Sequence, residues 1–491
     1  MKSSSRSSLQ IRALLAATLV IAGSADAVDY TVGVGETLNL SNGSYTGANL
    51  LLQGGTVSGS GNYNAYGASV ITGVAVSGSA PSTITGSSWF NIADPTTFTV
   101  ADVTGSSATD LLVNTSLRAL PGNPDYTYSA ARIIKEGAGT MEVTVHSYFR
   151  GGLDLNGGTL KLSGGNGGYG FFDGAVTVNS GTTLSITSDG SGLGYQGGWR
   201  PSSVNINGGM VTDTGGSHIW GISGGVNMTG GTLQGSGFQW NHTNLNTNPS
   251  ADTATIAGQL NLRGDGGYTS LSANVANGAA ATDLLISGNI TETYGPLGLS
   301  KSGAGTMELS GANSSYTGAT TVSGGKLVVN GSIATSATIV QSGATLGGAG
   351  TVGTVTIQNN GVFAPGNSPG TMTLTGNLVL DAGSVSDFEV NSFNSGNFDL
   401  AVAAASGTQS VQFNGTLNLL FQSGFNTMGS LKIFDFDSYS GSFSSVVPTG
   451  LASGYTATFD NSTGTLTVVP EPASALMGGL GLLCLLRRRR A

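Results

Sequence analysis

The sequence predicts an all-β chain built as a parallel β-helix, a solenoid, with a C-terminal β cap and apolar helical segments at its two ends. Three observations carry this. First, short bursts of Val, Ile, Leu and Thr recur throughout, broken every few residues by Gly, Ser or Asn, and no internal window holds the 3.6-residue helical period over three turns. Second, a glycine opens strand after strand at Gly158, Gly181, Gly209 and Gly231, and again at Gly325, Gly343, Gly361 and Gly383. A recurrence of roughly 20 residues with one strand-opening turn in each is the mark of a solenoid, whose coils bury their apolar faces only by stacking on one another. Third, a long internal duplication is present. A set of β-sandwich domains is the alternative, but it would suit longer strands and turns about every 8–12 residues.

The duplication has two anchors. Ala108-Thr109-Asp110-Leu111-Leu112-Val113 returns as Ala281-Thr282-Asp283-Leu284-Leu285-Ile286. Downstream, Lys135-Glu136-Gly137-Ala138-Gly139-Thr140-Met141-Glu142-Val143 returns as Lys301-Ser302-Gly303-Ala304-Gly305-Thr306-Met307-Glu308-Leu309. The two blocks keep the same order and, apart from a short gap, the same register.

Composition limits the function classes. The chain has 491 residues, with 81 Gly, 12 Pro and 9% charged residues. Low charge with regularly spaced apolar residues is the opposite of a disordered chain. Between Val28 and Leu486 there are ten basic and 25 acidic residues, a net charge of about −15. An acidic body without a basic patch argues against nucleic-acid binding, which needs clustered Lys and Arg to displace counterions. Cys484 is the sole cysteine, so no intrachain disulfide can form.

Both ends read as addresses. Residues 1–27 have a basic start, an apolar run from Ala13 to Ala22 and Ala25-Asp26-Ala27 before Val28, the pattern of a secretory signal peptide with a small-x-small cleavage site at Ala25 and Ala27. Residues 469–491 contain Pro470-Glu471-Pro472, an apolar stretch from Ala473 to Leu486, and Arg487-Arg488-Arg489-Arg490. As a helix, that apolar stretch spans ~21 Å, short of a ~30 Å bilayer core, so crossing as a transmembrane helix requires the arginines to snorkel. The arginines would stay on the cytoplasmic side and leave the body beyond the inner membrane.

This end resembles the PEP-CTERM sorting signal of Gram-negative surface proteins. The resemblance implies an exosortase-type enzyme as processing partner, with cleavage near the Pro-Glu-Pro triplet. The stretch from Lys301 to Asn313, continued by Tyr316-Thr317-Gly318 and Gly325-Lys326-Leu327, resembles the autotransporter-associated β-strand repeat. The copy opening at Lys135 is degenerate, with His146-Ser147-Tyr148-Phe149-Arg150 where the Tyr-Thr-Gly element should stand. This second resemblance implies a right-handed β-helical passenger on a cell surface or in an extracellular matrix, structural or adhesin-like, associated with exopolysaccharide. No run of amphipathic ~10-residue strands that could form an outer-membrane barrel is read near the C-terminus. The expected layout is a signal peptide at 1–27, a β-helix over 28–370 with repeats at 108–165 and 281–332, a cap over 371–468, and the sorting signal at 469–491. The cap is rich in Phe and is expected to hold broader antiparallel strands, ending with Gly464-Thr465-Leu466-Thr467-Val468.

No catalytic residue, cofactor site or metal site is assigned. A polysaccharide lyase or hydrolase on the same scaffold is the alternative, because glycosidases need two carboxylates roughly 5–10 Å apart. Asp435 and Asp437 share one face of a strand if Phe434 and Phe436 point inward, but a polar outer face explains them equally well. Asp265 near Arg263 reads as a turn. His146, His218 and His242 lack the spacing of a zinc site, and Gly164-Gly165-Asn166-Gly167-Gly168 lacks the Lys-Ser/Thr of a phosphate loop. One constellation remains. Trp199, Trp220 and Trp240 follow one another at close to one coil, with Tyr195, His218 and His242 nearby. They could stack as a purely structural rung, or as a glycan-binding row offering apolar faces to sugar rings.

Overall fold

The structure, a computed structural model, describes residues 19–20, 29–40, 46–59, 70–119, 131–147, 150–164, 171–187, 192–194, 199–216, 218–404 and 408–471. The chain divides into two units, Met1–Gly295 and Pro296–Ala491. Each is a parallel β-helix, and the described residues contain no α-helix. None of their helices is long and apolar enough to cross a membrane. The expected membrane helix over 473–486 and the cleavage residues Ala25 and Ala27 lie outside the described residues. Within the apolar run of the expected leader, Leu19–Val20 is extended and pairs in parallel with Leu38–Asn39.

In the first unit, strands stack in three columns. One runs through Arg132–Glu136, Gly152–Leu155, Val176–Asn179, Val204–Asn207, Val226–Thr229, Leu245–Thr247 and Ser270–Val275. A second runs through Thr140–Val143, Thr159–Leu162, Thr183–Ile186, Met210–Asp213, Thr232–Gly235, Ala254–Ile256 and Leu284–Ile286. The third is shorter: His218–Trp220, Phe238–Asn241, Leu260–Arg263 and Ile290–Thr293.

The period-2 alternation of the sequence becomes a vertical core. Leu160, Leu184, Val211, Leu233, Ile256 and Ile286 occupy equivalent places on successive coils and are all buried. Burying each such side chain stabilises by roughly 1.5–3 kcal/mol. Polar residues stack in the same way. Asn179 Nδ2 donates to Asn156 Oδ1 at 2.7 Å, and Asn207 Nδ2 to Asn179 Oδ1 at 3.2 Å. A second ladder links Asn205, Asn227 and Asn246 at 3.0 and 2.9 Å. Each amide satisfies the next, so asparagine can sit along a stacked column without leaving unmet hydrogen bonds.

The second unit repeats the plan. Its columns run from Gly298–Ser302 through Thr320–Val322, Thr338–Val340 and Val355–Ile357 to Ser438–Gly441, and from Thr306–Leu309 through Gly325–Val329 and Ala344–Gly348 to Ser445–Leu451. A third runs from Ser332–Ile333 through Thr351–Val352, Thr371–Leu374 and Leu400–Ala403 to Phe434–Asp435.

The broad antiparallel cap expected from Thr371 onward is smaller than the sequence suggests, because parallel pairing continues through Ser445–Leu451. Among the described residues, the antiparallel ladders join Gly429–Lys432, Thr465–Pro470 and Tyr455–Asp460. This small sheet is packed through Phe459, whose ring lies 5.5 Å from Phe413, 5.8 Å from Phe434 and 5.5 Å from Phe443. The Phe-rich composition therefore marks an aromatic core at the end of parallel coils rather than a separate antiparallel layer.

Of the strand-opening glycines, Gly158, Gly181, Gly231, Gly325, Gly343 and Gly383 all have positive φ, the left-handed conformation that a Cβ opposes. At Gly209 and Gly361 the left-handed residue is one position earlier, Gly208 and Asn360. There the glycine itself serves close approach, since a Cβ on Gly209 would lie 2.5 Å from Asn179 O.

Candidate functional site

The duplicated Lys-x-Gly-x-Gly motif turns its lysine inward. Lys135 is buried, and its Nζ donates to Glu136 O, Gly137 O and Gly157 O at 3.0, 2.9 and 2.9 Å. Lys301, also buried, does the same with Ser302 O, Gly303 O and Gly324 O at 3.2, 2.9 and 2.8 Å. In each copy one acceptor ends the lysine's own strand, one lies in the turn after it and the third belongs to the next coil. The ammonium thus satisfies turn carbonyls and ties consecutive coils together. Burial pushes the Lys135 ammonium down to about 8, with Asp110 opposing. Hydrophobic periodicity assigns lysine to the outside and so does not reveal this role; the recurrence of the whole motif is the signal that points to it.

The Ala-Thr-Asp motif has a matching structural task. Asp110 is buried and accepts from Val103 N and Thr104 N at 2.9 Å each, and from Thr140 N at 2.7 Å. Asp283 accepts from Gly278 N at 2.7 Å. In both copies the carboxylate ties down backbone N–H groups of the preceding loop. The copies diverge at the Tyr-Thr-Gly element. Tyr316 is buried, its hydroxyl 2.7 Å from Thr320 Oγ1, and burial pushes it up to about 12. At the corresponding position of the first copy, Arg150 instead forms an ion pair with Asp173 at 2.7 Å.

The tryptophans do not make an exposed row. Trp240 is fully buried, and its Nε1 donates to Thr243 O at 2.7 Å. Trp220 is only 5% exposed. The strand register pairs Ile219 with Trp240 and Trp220 with Asn241, so the two indoles are one residue out of step. Trp240 follows Trp220 one position sooner than the coil advances at this pairing, which moves its side chain to the neighbouring position. Trp199 is partly exposed and lies under the Arg150 guanidinium, 5.5 Å from its ring centre. Tyr195 lies outside the described residues.

What the third column does assemble is a cluster around Arg263. Its guanidinium sits 5.1 Å from the Trp220 ring centre and 5.0 Å from that of Tyr294. Its Nε donates to Asp265 Oδ2 at 2.7 Å and its Nη1 to Gln239 Oε1. The turn that carries it, a short 3-10 segment at Asp265–Gly267, is clasped by Asn241, whose Nδ2 donates to Arg263 O at 2.7 Å and to Asp265 O at 3.0 Å. Exposed His242 places Nε2 3.2 Å from Asp265 O, and its ring centre is 5.3 Å from that of Tyr268. His242 and Tyr294 both have positive φ, 45° and 67°. Tyr294 is 66% exposed. The sequence reads Arg263 and Asp265 as a turn, which they are, but does not single out Tyr294; its place directly before Gly295 at a strand end is the available signal.

Asp435 and Asp437 do not converge. Asp435 pairs with Lys432 at 2.7 Å, whereas Asp437 Oδ2 accepts from Gln409 N at 2.8 Å. Phe434 and Phe436 are buried as the alternation implies. Among the described residues, no group of three or more His, Cys, Asp or Glu is placed to hold a metal ion.

The sorting junction is well defined on its folded side. Pro470 ends the final strand in register with Tyr455, and Glu471 N donates to Gly454 O at 2.7 Å. Both residues are exposed. Pro472 and Arg487, Arg488, Arg489 and Arg490 lie outside the described residues.

These features define a parallel β-helical chain whose described part ends at an exposed Pro470-Glu471. Comparison with known proteins is consistent with that class. Residues 133–162 and 299–329 match the Passenger-associated-transport-repeat, and 468–490 match the PEP-CTERM protein-sorting motif. The chain therefore carries passenger repeats and an exosortase-type sorting motif, features that point to secretion to the cell envelope or surface. A stretch of 93 residues, 19% of the chain, is 44% identical to an extracellular serine protease of Serratia marcescens, covering 9% of that protein. Another of 123 residues, 24% of the chain, is 35% identical to the adhesin BmaC autotransporter of Brucella suis biovar 1 (strain 1330), covering 3% of it. The chain thus spans less than a tenth of each of these two relatives.

Proposed function

We propose that this chain is a non-catalytic surface or extracellular-matrix protein, structural or adhesin-like, that associates with exopolysaccharide. Residues 1–27 act as its cleaved leader, and the C-terminal apolar segment holds it transiently in the inner membrane until an exosortase-type enzyme processes it. The observation that carries this reading is the exposed Pro470 and Glu471, at which the matched sorting motif opens in a chain bearing passenger repeats. The name of the Brucella relative, an adhesin, agrees with it.

The name of the Serratia relative favours a second reading, catalysis, as does the wider use of β-helices for polysaccharide cleavage. Deleting the gene and complementing it tests both. Loss of matrix-bound exopolysaccharide on deletion and its return on complementation is the expected result. The purified protein should release neither reducing sugar from that polysaccharide nor peptides from casein. Release of either product would replace the structural reading with an enzymatic one.

A further inference from the structure

We propose that Tyr294, backed by Arg263 and Trp220, forms a binding subsite for a neutral hexopyranose chain. This deepens the exopolysaccharide reading above and rests on it. The three side chains form a layered stack: the Trp220 ring, the Arg263 guanidinium 5.1 Å from it, and the Tyr294 ring 5.0 Å beyond the guanidinium. One face of Tyr294 is thus taken by Arg263. The residue is nevertheless 66% exposed, leaving its other face to solvent.

A large aromatic ring normally stabilises by being buried, and a non-glycine residue at φ 67° carries a local backbone cost. Here both costs fall on one residue that contributes little to the core. The stack is also held in place. Asp265 and Gln239 fix the guanidinium, and Asn241 fixes the turn beneath it. A guanidinium carries five N–H donors, more than the bonds to Asp265 and Gln239 engage, so donors remain for a sugar hydroxyl. An exposed flat ring beside oriented donors matches a pyranose, which presents C–H groups on one face and hydroxyls at its rim.

Charge selects the neutral class. Asp265 balances Arg263 within the subsite, and the body around it carries about −15. A uronate polymer would be repelled over the whole surface, whereas stacking on a ring is insensitive to salt.

Affinity electrophoresis of the purified protein through gels containing a neutral glucan, a neutral mannan or alginate tests the proposal. Retardation by at least one neutral polymer, insensitive to added sodium chloride, is expected, with none by alginate. Tyr294→Ala should weaken it at least tenfold and Tyr294→Phe should preserve it. Tyr294→Gly removes the ring but suits the positive φ, so it should lose binding while keeping or raising thermal stability. No retardation by either neutral polymer, retardation by alginate alone, or full retardation of Tyr294→Ala would overturn the proposal. Complementing the deletion strain with Tyr294→Ala separates the two failures: matrix-bound exopolysaccharide lost on deletion but fully restored by the variant overturns the subsite alone, whereas no loss on deletion overturns the exopolysaccharide reading.

Discussion

Replacing Lys135 or Lys301 with alanine should destabilise its unit by about 2–4 kcal/mol, among the largest single effects expected in this chain. Each substitution leaves three carbonyls without their donor, and an unsatisfied buried polar group costs roughly 1–3 kcal/mol. Relief of ammonium desolvation offsets part of the sum. Methionine fills the same space without donating, so Lys135→Met should recover the packing component and not the hydrogen bonds. The pH dependence separates these components. Lys135 is held to about 8 when folded, against 10.5 as its ordinary value. Between those values the unfolded chain binds more protons than the folded one, so this group makes stability rise with pH across that window. The rise is at most about 1.4 kcal/mol per pH unit. Chemical unfolding of wild type and Lys135→Met at pH 7.5 and 9.5 checks it: the wild type should gain relative to the variant at the higher pH. An equal response in both would rule out the lysine as the source of the effect.

The second large effect is expected at Gly325. Its φ is +61°, and a Cβ there would lie 2.4 Å from Gly305 O. Gly158, its counterpart in the first repeat, has φ +60° and would meet Gly139 O at 2.4 Å. Alanine must therefore bear the left-handed conformation, about 1–2 kcal/mol, and displace the backbone of the neighbouring coil. Gly343 supplies the control, since its φ is +79° but nothing lies within 4 Å of its Cβ position. Gly343→Ala should cost about 1 kcal/mol, and Gly325→Ala more than about 3 kcal/mol. Equal losses in thermal unfolding would mean that coil spacing does not depend on these glycines.

Lysine and glycine also mark how far the sequence can be read. The solenoid is legible because strand alternation and glycine spacing are local signals repeated many times, and repetition averages out their individual weakness. The inward lysine is not, because its compensation comes from carbonyls on two coils and no local pattern encodes that. The tryptophan row fails for a related reason. A period of about one coil locates a residue only to within one position, and one position in a strand reverses which side the residue faces. Here Trp220 and Trp240 fall on neighbouring positions of the register and both are buried, whereas the exposed ring of this column is Tyr294, which the tryptophan spacing does not point to. The C-terminal cap is overestimated because Phe enrichment signals aromatic packing without specifying strand direction. Phe459, unremarked in the sequence, joins the cluster from the antiparallel sheet.

Sorting at the C-terminal motif is the central claim, and one measurement addresses it most directly. Cells producing the wild type or the variant Pro470→Ala, Glu471→Ala, Pro472→Ala are fractionated into inner membrane, envelope and matrix, and the chain is detected by antibody against its β-helix. Wild-type protein of reduced mass is expected in the envelope or matrix, and the variant at higher mass in the inner-membrane fraction. Identical mass and distribution for the two would contradict sorting through this motif.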